Sequence, residues 1–166
     1  MKFAMPFTPV ADRSPSASFP IAARQSHGWG LPRLGGETKD LQTLFARVVG
    51  AYSRGSLANV RDLVAPPLLK RLIEEVAERH RLKHELSSRL VEFISAEVVD
   101  REDRLLGGWV DVRFVSRMVV ALKGPHGTVL AGDPVEARML SEVWTLQRSR
   151  TGGESGWLVT AMVEDE

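Results

Sequence analysis

Apolar residues recur along this chain with two different periods. From Lys39 the spacing is helical: Leu41, Leu44, Phe45, Val48, Val49 and Tyr52 fall on a single stripe. Thr38 or Asp40 can cap this helix, and Gly55 can end it. A short second helix is expected over residues 57–64, with Ser56 as its cap and Leu57, Val60, Leu63 and Val64 as its buried side. Pro66 and Pro67 break that run and pre-set a new helix start. The third helix is expected over residues 67–83, with Leu68, Leu69, Leu72, Ile73 and Val76 as its core face.

After Ser88 the period shifts toward two. Residues 90–99 read as a first strand, but Phe93, Ile94, Val98 and Val99 alternate imperfectly, which predicts partial cover on both faces or a bulge. Residues 110–122 alternate cleanly, with Val110, Val112, Phe114, Met118, Val120 and Leu122 opposite Asp111, Arg113 and Arg117. Gly107 and Gly108 mark the turn before it. Residues 123–134 form a loop with a small extra strand at 128–131, residues 135–148 a long strand, residues 149–156 a turn, and residues 157–163 a closing strand.

Helices first and sheet last argue for an α+β fold, not a doubly wound one. A long twisted sheet curls, and its concave side needs cover. The expected architecture is therefore three N-terminal helices packed on a curved four-stranded antiparallel sheet, a cone. That domain occupies residues 38–166. Residues 1–37 carry Pro6, Pro9, Pro15, Pro20 and Pro32, then Gly28, Gly30, Gly35 and Gly36, and read as a flexible Pro/Gly-rich arm. Phe3, Phe7, Phe19 and Trp29 are its candidate anchors.

Composition narrows this picture only a little. With 166 residues, 43% hydrophobic and 26% charged, the chain suits one domain with a sizeable core. A net charge of +1 gives no global field toward nucleic acid or membrane. Arginine outnumbers lysine, so local contacts to anions remain open. There is no cysteine, which removes disulfides, thiolate zinc sites and cysteine nucleophiles together. No apolar run is long enough to span a bilayer, and Pro6, Pro9 and Asp12 interrupt any signal-peptide core.

Candidate chemistry is sparse. His80 and His84 share a helix face, but Arg81, Leu82 and Lys83 lie between them and no zincin glutamate follows His80, so no metal is expected. No nucleophile elbow and no phosphate-binding glycine loop occurs. Glu74, Glu75 and Glu78 precede Arg79, Arg81 and Lys83, an order that complements the helix dipole and allows ion pairs such as Glu75 with Arg79. Glu92, Glu97 and Glu142 fall within strands, and one of them turned into the cone would be the single opening for acid–base chemistry. Phe114, Met118, Trp144 and Trp157 converge on the inner sheet, where they serve as core or line a pocket for an apolar ligand. Basic and aromatic residues do not interleave as on a nucleic-acid platform.

The order of several segments carries a resemblance. GSLANVRDLVAPPLLKRLIEEV, then VDVRFVSRMVVAL, then GDPVEARMLSEVWTLQRS followed by GWLVTAM, resemble the Tim44-like domain over about residues 41–163. That family is named after a peripheral subunit of the mitochondrial inner-membrane translocase and has bacterial relatives. The resemblance implies a cone related to the nuclear-transport-factor-two-like superfamily, without enzymatic activity or cofactor. It implies a peripheral place on the cytoplasmic or matrix-like face of an inner membrane, with lipid or a membrane-protein complex as partner. The apolar pocket it implies would fall on Phe114, Met118, Trp144 and Trp157; the contacts to anionic lipid or partner, on Arg79, Arg81, Lys83, Arg113 and Arg117. Residues 1–37 offer neither the membrane-targeting helix nor the transmembrane segment that many members carry before the domain. A homodimer through the sheet is left open. The competing expectation is a cone-fold small-molecule binder or enzyme using a buried carboxylate.

Overall fold

The computed structural model describes residues 37–102, 108–148 and 156–165. The arm with its aromatic anchors, Gly107 and most of the turn at 149–156 lie outside the described residues.

Helix α1 (Glu37–Arg54) buries the stripe read from the sequence, from Leu41 to Tyr52. It ends as the glycine predicts: Gly55 takes φ 73°, and the Ser56 N–H reaches back to the Ala51 carbonyl at 3.0 Å. Helix α2 (Pro66–Arg81) starts on its proline pair and buries Leu68, Leu72 and Val76. Strands β1 (Glu85–Glu102), β2 (Trp109–Lys123), β3 (Val129–Gly132), β4 (Arg138–Arg148) and β5 (Trp157–Glu164) form one antiparallel sheet in the order β1-β2-β4-β5, with short β3 paired to the far end of β2.

The expected helix at 57–64 is corrected. Only Ala58–Val60 is helical, a single 3-10 turn. Leu57, Val60, Leu63 and Val64 are buried as expected, but the segment leaves the helix to meet the sheet. Val64 bridges Val159 in parallel; the Val159 N–H donates to the Leu63 carbonyl and the Ala65 N–H to the Val159 carbonyl, each at 2.8 Å. Ala65 precedes a proline, which disfavours helical backbone, and it adopts φ −60°, ψ 142°; pairing with β5 takes up the main-chain groups beside it. The fold thus has two α-helices among the described residues, and the edge of β5 is covered by this extended segment.

β1 begins five residues before its expected start and explains its own imperfect alternation. Its register against β2 slips between Leu90 and Glu92, Phe93 and Ser95, and Val98 and Asp100. The residues skipped are Val91, Ile94 and Val99, all exposed, so Leu90, Phe93, Ala96 and Val98 stay turned to the core. The core is one cluster between α1, the 57–65 segment, α2 and the inner sheet face.

Candidate functional site

At the centre of the inner face the aromatic rings interlock. Phe45 from α1 stacks on Phe114 at 5.0 Å and lies 5.1 Å from Trp144; Phe93 meets Phe45 edge-on at 5.9 Å. Trp144 is 0% exposed. Of the four expected pocket residues, Phe114 and Trp144 touch each other at 5.1 Å, and Met118 is buried in the same cluster. Trp157 is buried at the start of β5, with the Arg148 guanidinium 4.1 Å above its ring. Ring contact occupies the middle of the core, and the two cavities described next are lined by other residues.

The first cavity, about 210 Å³, is lined by Val115, Met139, Leu140, Ser141, Glu142, Glu164 and Asp165. Of the three strand carboxylates singled out from sequence, Glu92 pairs with Arg117 at 3.6 Å on the solvent side and Glu97 is exposed. Glu142 alone turns inward, because it shares parity with Trp144 and Leu146 along β4. It is 6% exposed, accepts a hydrogen bond from the Trp144 indole N–H at 3.2 Å, and stands opposite Glu164 in register. Burial pushes its carboxyl up to about 7, Glu164 adds repulsion, and the indole bond pulls the other way. Such a group can hold or release a proton near neutrality.

The expected cationic contacts divide. Arg79 is 8% exposed and points inward, donating to the Tyr52 carbonyl at 2.6 Å and lying 4.8 Å over the Tyr52 ring, while its Nη1 has no partner. It therefore closes the C-terminus of α1 and presents no charge to a surface. Glu75 accepts from the Tyr52 hydroxyl at 2.9 Å, and burial followed by the Glu75 charge holds that phenol well above its ordinary range. Arg81 is exposed and tied to Glu78 at 2.6 Å. Lys83 is exposed at a left-handed φ of 54°. Arg113 is half-buried against Asp165 at 2.6 Å, and Arg117 faces Glu92. These cations do not form one patch: α2 and the outer sheet each hold a subset.

The second cavity was not foreseen. It is a shallow trough of about 500 Å³ along the outer side of α1, lined by Lys39, Gln42, Thr43, Ala46, Arg47 and Arg54. The signal was in the sequence as a second helical stripe, opposite the apolar one, that mixes cations with small residues. His80 packs over Gly55, where an added Cβ would lie 2.9 Å from its Nε2. No group of three or more metal-type ligands occurs among the described residues. No helix among them is long and apolar enough to cross a membrane.

A family model described as the Tim44-like domain matches residues 38–164. No curated protein matches the sequence. Among solved structures, the intermembrane-space region of the chloroplast protein ARC6 superposes with a TM-score of 0.51 at 13% identity, covering 76% of this chain and 95% of that one. A periplasmic fragment of TraM gives 0.47 at 13% identity, covering 77% and 96%. The ARC6 likeness concerns the fold alone.

Proposed function

This chain belongs to the Tim44-like domain family, and from that premise we propose that it is a non-enzymatic, membrane-associated binding module that works by surface docking. Its expected partner is lipid of an inner membrane or a membrane-protein complex, approached from the cytoplasmic or matrix-like face. The observation that carries this reading is the filled interior. Phe45, Phe93, Phe114 and Trp144 occupy the space where a ligand would sit, so recognition falls to the outer surfaces. Flotation with cardiolipin-rich vesicles at low and high salt, beside crosslinking in native membranes, tests it. Salt-sensitive flotation supports lipid contact. Crosslinked membrane proteins without flotation support a protein partner, and the absence of both flotation and crosslinks would sink the proposal. Sedimentation of the purified chain decides whether two copies pair through the sheet.

One observation favours a second reading. Glu142 is a buried carboxylate at a cavity, the arrangement a small-molecule binder or acid–base enzyme would use. Thermal-shift screening of small cationic and neutral ligands against the chain and its Glu142→Gln variant separates the two. A ligand that stabilises only the parent chain would move the function to this cavity.

A further inference from the structure

The trough on α1 differs electrostatically from the rest of the helical surface. On α2 exposed cations and carboxylates are interspersed, and two of the cations are paired, Lys70 with Glu74 and Arg81 with Glu78. On α1, Lys39, Arg47 and Arg54 line the trough with no carboxylate among its lining residues; Asp40 lies on its flank and does not line it. The floor is made of small side chains, Thr43 and Ala46. Two of the cations are held down. Arg47 donates to the Asn59 carbonyl at 3.1 Å, and Arg54 folds back on Gly50, where an added Cβ would meet its Nη1 at 3.0 Å.

We propose that this trough receives an extended acidic segment of a partner protein. The inference rests on the docking-module reading and names the chemistry of the partner. Lys39 to Arg54 spans about 22 Å at the helical rise, the reach of about six to seven residues of extended chain. A concave trough whose cations lie back against the protein suits a strand entering it. A flat bilayer is better met by protruding cations. The chain's own first residues do not fit the role, because Lys2, Arg13, Arg24 and Arg33 far outweigh Asp12 there. Opposite charge supplies encounter and register, and the small floor supplies the fit.

The test is fluorescence anisotropy of a labelled oligoglutamate peptide at low ionic strength against the full chain. The Lys39→Glu/Arg54→Glu variant is expected to bind about tenfold more weakly. Ala46→Trp, which fills the exposed floor without changing charge, is expected to weaken binding comparably. Lys70→Glu/Arg71→Glu, the same charge change on α2, is expected to leave it unaltered. Circular dichroism confirms that each variant is folded. Failure of the peptide to bind, equal loss from the α1 and α2 reversals, or indifference to Ala46→Trp would each overturn the proposal. Loss of flotation on anionic vesicles by the α1 reversal, with peptide binding unaffected by Ala46→Trp, would assign the trough to lipid instead. Membrane crosslinking retained by a chain that ignores the peptide would remove this inference and leave the docking function standing.

Discussion

Glu142 and Arg79 are both buried ionisable residues beside the apolar core, and both positions follow from phase. Glu142 has the parity of Trp144 and Leu146, so the pleat that buries the tryptophan buries the carboxyl. Arg79 continues the stripe of Leu68, Leu72 and Val76, whereas Arg81 leaves it. Reading the last turn of α2 as a charge cluster hides that difference; reading it by phase separates the two arginines. For Glu142 the energetic sign is unfavourable. Its folded carboxyl titrates at about 7, above the 4.5 of an exposed glutamate. Between those values the folded state binds the extra proton, so stability falls as pH rises through the window, and the full cost is present above about pH 7. Glu142→Gln keeps the shape and an acceptor for the Trp144 indole but has nothing to ionise. Urea midpoints of the two proteins should agree below about pH 4.5 and diverge toward neutrality. The variant should be the more stable there, by on the order of 3 kcal/mol at the upper limit. Parallel profiles would mean that solvent or a counter-charge reaches the carboxyl.

At the level of elements, what the pattern conveyed was periodicity, and what it concealed was pairing. The apolar stripe of α1 and the alternation of β2 were legible because each element buries one face against one neighbour. Residues 57–64 carry an equally helical-looking set of buried positions, yet the proline after Ala65 disfavours helical backbone and the main chain bonds to β5 instead. That outcome depends on where β5 lies, which spacing does not encode. The bulges of β1 were visible only as broken alternation; their places became definite once β2 supplied the partner register. The link from β3 to β4 depends on a single glycine. Gly132 has φ 73°, and a Cβ there would fall on the Val120 carbonyl oxygen, which accepts the Asp133 N–H at 3.0 Å. Asp133 in turn accepts from the N–H groups of Val135 and Glu136 at 2.7 and 2.8 Å, fixing the turn into β4. Gly132→Ala should therefore cost about 2 kcal/mol or more, combining backbone strain with displacement of β3 from β2. Hydrogen exchange should accelerate first at Val129–Gly132 and the facing end of β2. Unchanged protection at β3 would show that the turn tolerates a side chain.

For the whole molecule, helices and sheet are made one unit by a few large side chains. α1 reaches the sheet through Phe45, whose ring contacts Phe93, Phe114 and Trp144 on three different strands. α2 joins through Arg79 on the end of α1 and through Leu68, Leu72 and Val76 in the core cluster. Neither helix has a separate core, so the domain should unfold in one step. The same packing supports placing the proposed function on outer surfaces: Phe45, Phe93, Phe114 and Trp144 contact one another on the inner sheet face, and opening a cavity among them would cost fold stability. Phe45→Ala removes the ring that meets all three strands. It should lower stability by about 4 kcal/mol through lost burial and the cavity left behind. Far-ultraviolet circular dichroism reports the helices and tryptophan emission, to which three of the four tryptophans (Trp109, Trp144 and Trp157) contribute from the sheet, reports the strands; the two urea transitions should coincide in parent and variant alike. If helical signal outlasts the tryptophan transition in Phe45→Ala, the helices hold together without the sheet. The helical layer bearing the α1 trough would then be an independent unit, and the acidic peptide should still bind it after the sheet has melted.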